Sequence, residues 1–107
     1  MKPKEFAIHP GEVLADELQE LDVTPSDLAR AIDVPLSRIR QIIQGKRSVT
    51  ADTALRLGQW FGTGPEIWLD FQTDYDLRTA KEAIRDELKA IARRPGAPKE
   101  KNVRTPL

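Results

Sequence analysis

Apolar residues recur at intervals of three and four positions along most of the chain, which is the period of an amphipathic helix. Leu14, Leu18 and Leu21 predict a first helix of about three turns beginning near Pro10, because proline is favoured at the first position of a helix. No segment alternates with the two-residue period of a strand. The pattern therefore predicts an all-α fold.

Two short helices follow, separated by a tight turn. Thr24 is a good N-cap and precedes a proline, so a second helix is predicted to begin there. Asp33 ends this helix, because aspartate tolerates the left-handed backbone of a tight turn. A third helix opens at Val34-Pro35 and ends at Gly45. The predicted buried faces are Leu28, Ala29 and Ile32 in the second helix and Ile39, Ile42 and Ile43 in the third.

A fourth and a fifth helix are predicted next. Thr50 starts the fourth and Gly62 closes it. Residues 63–66 (TGPE) have the spacing of a capping box, in which Thr63 is the cap and Glu66 reaches back to it, so a fifth helix starts there. The predicted buried positions are Ala54, Leu57, Gly58 and Phe61 in the fourth helix and Ile67, Trp68, Leu69, Phe71 and Tyr75 in the fifth.

A last apolar stripe, called here the C-terminal stripe, predicts that the fifth helix continues or that a sixth follows. Its members are Leu77, Ala80, Ile84, Leu88 and Ile91. Residues 95–107 contain three prolines and no apolar period, so a disordered tail is predicted. The folded domain is expected at residues 10–94, after an N-terminal arm at residues 1–9.

Composition excludes several kinds of chemistry. The 107 residues are 39% hydrophobic, which suits one small domain. The absence of cysteine removes disulfides, thiol catalysis and cysteine-bound metal, and the single histidine, His9, is expected to cap a helix rather than bind a metal. No apolar run approaches the roughly 20 residues that span a bilayer, and no signal peptide is expected. A cytoplasmic protein with no cofactor and no membrane contact is predicted.

The net charge of zero hides a strongly positive segment. Residues 35–50 have a net charge of +4 and no acid, whereas residues 1–34 have a net of −5 and residues 51–79 of −3. Because salt screens each charge beyond about 10 Å, such a segment can attract a polyanion although the whole chain is neutral. Its cations are Arg38, Arg40, Lys46 and Arg47.

Residues 24–46 match the helix-turn-helix pattern, in which the second of two short helices enters the major groove of DNA. Ala29 is small where the two helices touch, and Ile39 and Ile42 anchor the second helix. Arginine suits guanine and glutamine suits adenine, so the outward face of the third helix is a candidate for reading base edges. That face contains Ser37, Arg40, Gln41 and Gln44, with Arg38 at its flank.

These motifs resemble the HigA-type antitoxins, which belong to the XRE class of helix-turn-helix proteins together with phage repressors and Cro. The resemblance covers most of the chain before the predicted tail. The motifs that show it are His9-Pro10-Gly11-Glu12, Gly45-Lys46-Arg47, residues 50–57 (TADTALRL), Phe61-Gly62-Thr63, Trp68-Leu69 and Tyr75-Asp76-Leu77-Arg78.

The resemblance implies a lambda-repressor-like domain of five helices, or six if the C-terminal stripe forms its own, that dimerises through its C-terminal helix. It also implies binding to a palindromic operator in the promoter of its own operon, and hence association with the nucleoid. The implied partner is a HigB-type toxin, a RelE-like ribonuclease that cleaves mRNA. Leu36 departs from the polar residue usual at its position, so contact with a thymine methyl is expected there.

The motif and the resemblance together give three sets of candidate site residues. The predicted base-contacting residues are Leu36, Ser37, Arg38, Arg40 and Gln41. The predicted phosphate-contacting residues are Thr24, Ser26, Gln44, Lys46 and Arg47. The predicted dimerisation residues are Trp68, Phe71, Tyr75, Leu77 and Ile84.

Three functions stay open on the sequence: an operon-repressing antitoxin, a stand-alone transcriptional regulator without a toxin, and a protein-interaction module that no longer binds DNA. An enzyme is not expected, since no nucleophile–base pair or metal set is present. The aromatic residues are expected in the core rather than in a platform for single strands. Asp70, Asp74 and Asp76 are expected on a solvated face.

Overall fold

The computed structural model describes residues 7–98, and over this range the regular elements are all helices. Their order is α1 (Pro10–Leu21), α2 (Pro25–Ile32), α3 (Leu36–Ile43), α4 (Ala51–Phe61), α5 (Glu66–Ala83) and α6 (Arg85–Ala90). The predicted all-α fold is confirmed, and the described chain contains the sixth helix. Most of the predicted arm, residues 1–6, and most of the predicted tail, residues 99–107, lie outside the described residues.

Local side chains set the bounds of α2 and the start of α4, as predicted. The Thr24 hydroxyl accepts a hydrogen bond from the backbone N–H of Asp27 at 3.0 Å. The Thr50 hydroxyl accepts one from the N–H of Thr53 at 3.4 Å. Asp33 closes α2 with a left-handed φ of 58°. Each of these residues satisfies or redirects backbone groups that a helix end leaves unpaired.

The capping box predicted before α5 is wrong. No side chain caps α5, which begins after Pro65. The Thr63 hydroxyl instead donates to the carbonyl of Gly64 at 3.0 Å. The N–H groups of Thr63 and Gly64 both donate to the carbonyl of Gly58, at 3.1 and 3.2 Å. A Cβ on Gly58 would lie 2.2 Å from the carbonyl carbon of Gly64, so backbone packing sets this turn.

The core lies between α1 to α4 and the first half of α5. Its largest fully buried apolar side chains are Leu14, Leu28, Ile39, Ile42 and Leu57. Leu21 and Ile67, predicted on buried faces, are 51% and 41% exposed. Leu21 ends α1, and Val23 packs against the core in the following turn. Trp68 fills the core beside Ile67, which the helical rotation places outward.

The C-terminal stripe is helical but exposed. No residue from 76 to 91 is buried, and Leu77 and Ile91 are 65% and 68% exposed. Asp74 and Arg78, four residues apart on α5, form an ion pair at 3.0 Å. No helix within residues 7–98 is both long enough and apolar enough to cross a membrane.

Candidate nucleic-acid interface

Helices α2 and α3 form the predicted helix-turn-helix, and α3 lies where the third helix was predicted, between Val34-Pro35 and Gly45. Pro35 precedes its first turn and Gln44 follows its last. Ile39 and Ile42 are completely buried, and they fix the inward face of α3. The rotation of α3 is therefore set by its core, which determines the side chains on the outward face.

Hydrogen bonds from α2 and from α4 hold the turn of the helix-turn-helix. Asp33 adopts the left-handed backbone that a glycine usually supplies, and the N–H of Val34 donates to the carbonyl of Ala29 at 3.0 Å. From α4, the Arg56 guanidinium donates through Nη1 to the carbonyls of Ile32 and Asp33, at 2.9 and 3.3 Å. These bonds satisfy the last carbonyls of α2 and tie the turn to α4.

The outward face of α3 presents several of the predicted contact residues to solvent. Ser37, Arg40 and Gln44 are exposed. Within the described residues the Arg40 side chain has no hydrogen-bond or ion-pair partner, so its guanidinium is available to a base edge. Leu36 is half-buried and packs against the core, so only part of its side chain can meet a thymine methyl.

Gln41 and the turn after α3 form one unit. Arg47 Nε donates to Gln41 Oε1 at 2.9 Å, and the backbone N–H of Lys46 donates to the Gln41 carbonyl at 2.8 Å. Because the amide oxygen is occupied, the Gln41 NH2 group is left to donate. Lys46 is exposed on the same turn, as a phosphate contact requires.

Arg38 is paired with an acid that sequence reasoning did not assign to the site. Its Nη1 donates to Asp52 Oδ1 at 3.2 Å, and Arg56 Nε donates to the same oxygen at 2.8 Å. The hydrogen bond from Arg56 is the main reason that the pKa of Asp52 is lowered, and the charges of Arg56 and Arg38 add to it. We call Arg38, Asp52 and Arg56 the arginine bridge. The four-residue spacing of Asp52 and Arg56 was a detectable signal, but the pairing with Arg38 is tertiary.

The predicted phosphate contacts at the start of α2 are partly occupied within the protein. Thr24 is exposed, and its hydroxyl oxygen caps the helix. Ser26 Oγ accepts a hydrogen bond from Arg30 Nη1 at 3.2 Å. Both hydroxyls keep a hydrogen that could reach a phosphate oxygen, while the neighbouring Asp27 carboxylate opposes an anion.

The segment His9-Pro10-Gly11-Glu12 places the start of α1 against the end of α3. His9 Nδ1 accepts a hydrogen bond from the N–H of Gly11 at 2.8 Å, and the Glu12 carboxylate accepts one from the N–H of His9 at 3.4 Å. The predicted capping role of His9 is confirmed. A Cβ on Gly11 would lie 1.8 Å from the carbonyl oxygen of Ile42, so only glycine allows this approach.

The His9 ring is buried, with 6% of the residue exposed, and lies edge-on to Tyr75 at a centroid distance of 4.8 Å. Burial lowers the pKa of His9, and the charges of Glu12 and Asp76 oppose this shift without cancelling it. The cap needs an unprotonated Nδ1, which agrees with a neutral ring.

Gln72 is a buried polar residue that sequence reasoning missed. Its Oε1 accepts from the N–H of Val49 at 2.8 Å, and its Nε2 donates to Asp76 at 2.9 Å. It therefore fixes the segment before α4 against α5. Its position one turn after the buried Trp68 was the available signal.

The predicted dimerisation residues divide into two groups. Trp68 is only 3% exposed and its ring packs on Phe71 at 5.8 Å, so it belongs to the core and offers almost no surface to a second copy. Phe71 and Tyr75 are half-buried. Leu77 and Ile84 are 65% and 43% exposed, and their roles at an interface stay predictions.

Comparison with known proteins agrees with this geometry. The sequence matches the helix-turn-helix family HTH_3 over residues 14–68. It is 47% identical over 77 residues to virulence-associated protein I of Dichelobacter nodosus, with 71% of each chain covered.

Two solved structures resemble the fold closely. One is an addiction-module antidote protein of the HigA family from Coxiella burnetii, with a TM-score of 0.81, 43% identity, and 83% of this chain and 99% of that chain covered. The other is the Pseudomonas aeruginosa antitoxin HigA with the higBA promoter, with a TM-score of 0.78, 38% identity, and 85% and 99% covered.

Proposed function

The chain belongs to the helix-turn-helix family and, within it, to the HigA-type antitoxins, and from that membership we propose that it represses its own operon and neutralises a toxin. The observation that supports DNA binding best is the outward face of α3. This face presents Arg40 and the Gln41 amide beside the exposed Lys46.

We propose that α3 enters the major groove. Arg40 then donates to the acceptors of a guanine, and Gln41 donates through its free NH2 group. Ser37 and Leu36 contact neighbouring bases. Lys46 contacts phosphate. The remaining predicted phosphate contacts are Thr24, Ser26, Gln44 and Arg47.

A dimer follows from the same proposal, because a palindrome is read by two recognition helices about one turn of DNA apart. The exposed apolar side chains of the C-terminal stripe suit the contact between two copies, because burying apolar surface between them would stabilise a dimer. Leu77 and Ile84 are the proposed contacts among those predicted from the sequence.

The proposed toxin is a RelE-like ribonuclease of the HigB type, as the family implies. A basic ribonuclease would suit the acidic segment at residues 1–34. Co-expression of the chain with the product of the adjacent gene tests this pairing. A stable complex that blocks mRNA cleavage is expected. If the adjacent gene encodes no such protein, the chain is a stand-alone regulator.

Substitutions on α3 test the proposed DNA contacts. We expect Arg40→Ala and Gln41→Ala each to weaken binding to the upstream duplex by about 1–3 kcal/mol, with the sequence preference relaxed at one base pair. Lys46→Ala should weaken binding to all duplexes and reduce the salt slope by about one unit. Lys81→Ala, an exposed cation on α5, is the control. Unchanged binding of the Arg40 and Gln41 variants would show that the base contacts are wrongly assigned.

A further inference from the structure

The cations of the positive segment are not equivalent in the folded protein. Arg40 and Lys46 have no ion-pair or side-chain hydrogen-bond partner among residues 7–98, and Arg47 bonds to a neutral amide. Arg38 alone of the four is bound to a carboxylate, that of Asp52. Its side chain is 29% exposed, less than those of the ion-paired Arg30, Arg56, Arg78 and Arg85.

We propose that Asp52 is a specificity-determining residue of the DNA-binding surface, which positions Arg38 and disfavours phosphate beside it. The inference rests on the proposed function, because it concerns the same surface. It assigns to α4 a part in DNA discrimination, although Asp52 itself need not touch a base.

The arginine bridge holds this carboxylate in place. Asp52 lies in the first turn of α4, where the helix dipole favours an anion. Its Oδ1 accepts from both Arg38 and Arg56, at 3.2 and 2.8 Å. Arg56 is itself bonded to the carbonyls that end α2, so the position of Asp52 is fixed relative to the helix-turn-helix.

The Asp52 carboxylate has different effects on the binding of phosphates and of bases. Asp52 is 60% exposed, so a phosphate approaching Arg38 would also approach a negative charge. A base edge has no net charge, and Arg38 keeps four of its five N–H groups for it, because only Nη1 is used. Asp52 therefore lowers binding to arbitrary DNA more than binding to a matching operator.

The test compares two duplexes of about 30 base pairs, long enough for two half-sites. One is the upstream segment that the protein protects in a footprint, and the other is a shuffled duplex of the same composition. For Asp52→Asn we expect several-fold tighter binding to the shuffled duplex, with a salt slope steeper by about one unit. Binding to the protected segment should change by less than about threefold, because the bases keep their contacts. The specificity ratio, which is the affinity for the protected segment divided by the affinity for the shuffled duplex, should therefore fall.

Matched variants separate this inference from a general effect of charge. Asp74→Asn is the control, because Asp74 is also 60% exposed and pairs with an arginine four residues on, but lies on α5. It should leave the ratio unchanged. In an Arg38→Ala background, Asp52→Asn should no longer lower the ratio. Asp52→Ser is a second substitution of the same carboxylate. Thermal unfolding of every variant checks that folding is intact.

The outcomes are distinct. An unchanged ratio in Asp52→Asn overturns the inference, and so does an equal fall in the Arg38→Ala background. If the wild-type protein binds both duplexes equally or neither, the proposed operator binding fails, and the role of Asp52 fails with it.

Discussion

Residues 9–75 and residues 76–91 are both largely helical, yet they differ in how they are stabilised. The first region buries one face of α1, α2, α3, α4 and the start of α5 in a common core. The second region buries no residue, although the C-terminal stripe continues the same apolar period. Helix α5 spans both regions: Trp68 is in the core, and Leu77, nine residues later, is exposed.

The difference shows that an apolar period predicts a helical face but not what covers it. A helix as short as α6, with six residues, is unstable in water without tertiary packing. The exposed apolar residues of the second region therefore need a partner surface. In the first region that surface is the rest of the chain, and this packing fixes the position of α3.

The largest expected contrast comes from one leucine in each region. Leu57 is completely buried, whereas Leu88 is 43% exposed. Leu57→Ala should lower the free energy of unfolding by about 2–5 kcal/mol, because it leaves a cavity in the core. Leu88→Ala should change it by about 0.5 kcal/mol or less when the protein is dilute enough to be monomeric.

Urea unfolding at several protein concentrations measures this contrast. If the C-terminal stripe joins two copies, the cost of Leu88→Ala should rise with concentration, whereas the cost of Leu57→Ala should not. Equal costs for both variants in the monomer would mean that the second region is part of the core.

A second contrast separates close packing from backbone conformation within the first region. Gly11→Ala should lower the free energy of unfolding by about 1–3 kcal/mol, because the added Cβ meets the Ile42 carbonyl and cannot move away. Gly62→Ala is the matched control, because a Cβ there meets nothing within 4 Å. The only cost of this substitution is the strain of alanine at a left-handed φ of 80°. That cost is about 1 kcal/mol.

The two glycine variants should also differ in DNA binding. Gly11 contacts the end of α3, so Gly11→Ala should weaken operator binding more than its loss of stability explains. Gly62→Ala should leave operator binding intact in the folded protein. Chemical unfolding and duplex titration measure the two effects separately, and a stable Gly11→Ala variant would contradict the packing argument.

The sequence predicts the bounds of α2 and the start of α4 well because the signals are local. Thr24, Asp33 and Thr50 each act on backbone groups within a few residues, and the structure confirms all three. The capping box at residues 63–66 is wrong because a tertiary contact with Gly58 sets that turn. A motif of four residues contains no information about a contact with a residue outside it.

The candidate site divides in the same way. The recognition helix and its outward face follow from the helical period and the charge of residues 35–50. The pairing of Arg38 with Asp52 joins residues that are 14 positions apart, so no helical spacing reveals it. The sequence likewise does not reveal what covers the C-terminal stripe, because periodicity contains no information about a neighbouring surface.

The smallest expected effect lies at the boundary between the two regions, where His9 packs on Tyr75. Burial lowers the pKa of His9 in the folded protein, so the unfolded chain binds the proton more readily. The contribution of the neutral His9 ring to stability is therefore complete above the unfolded pKa of about 6.5, and it is lost as the pH falls below that value. Protonation removes the Nδ1 acceptor for the N–H of Gly11, and loss of an N-cap costs about 0.5–2 kcal/mol.

His9→Asn is the variant that isolates this effect, because asparagine is a strong N-cap but does not titrate. Urea unfolding between pH 7 and pH 5 should show a steeper loss of stability for the wild-type protein than for His9→Asn. The carboxylates common to both proteins, including Glu12 and Asp76, contribute the shared part of the slope. Parallel pH profiles would mean that the charges of Glu12 and Asp76 offset the burial of the ring. The boundary would then be held by packing on Tyr75 rather than by the neutral cap.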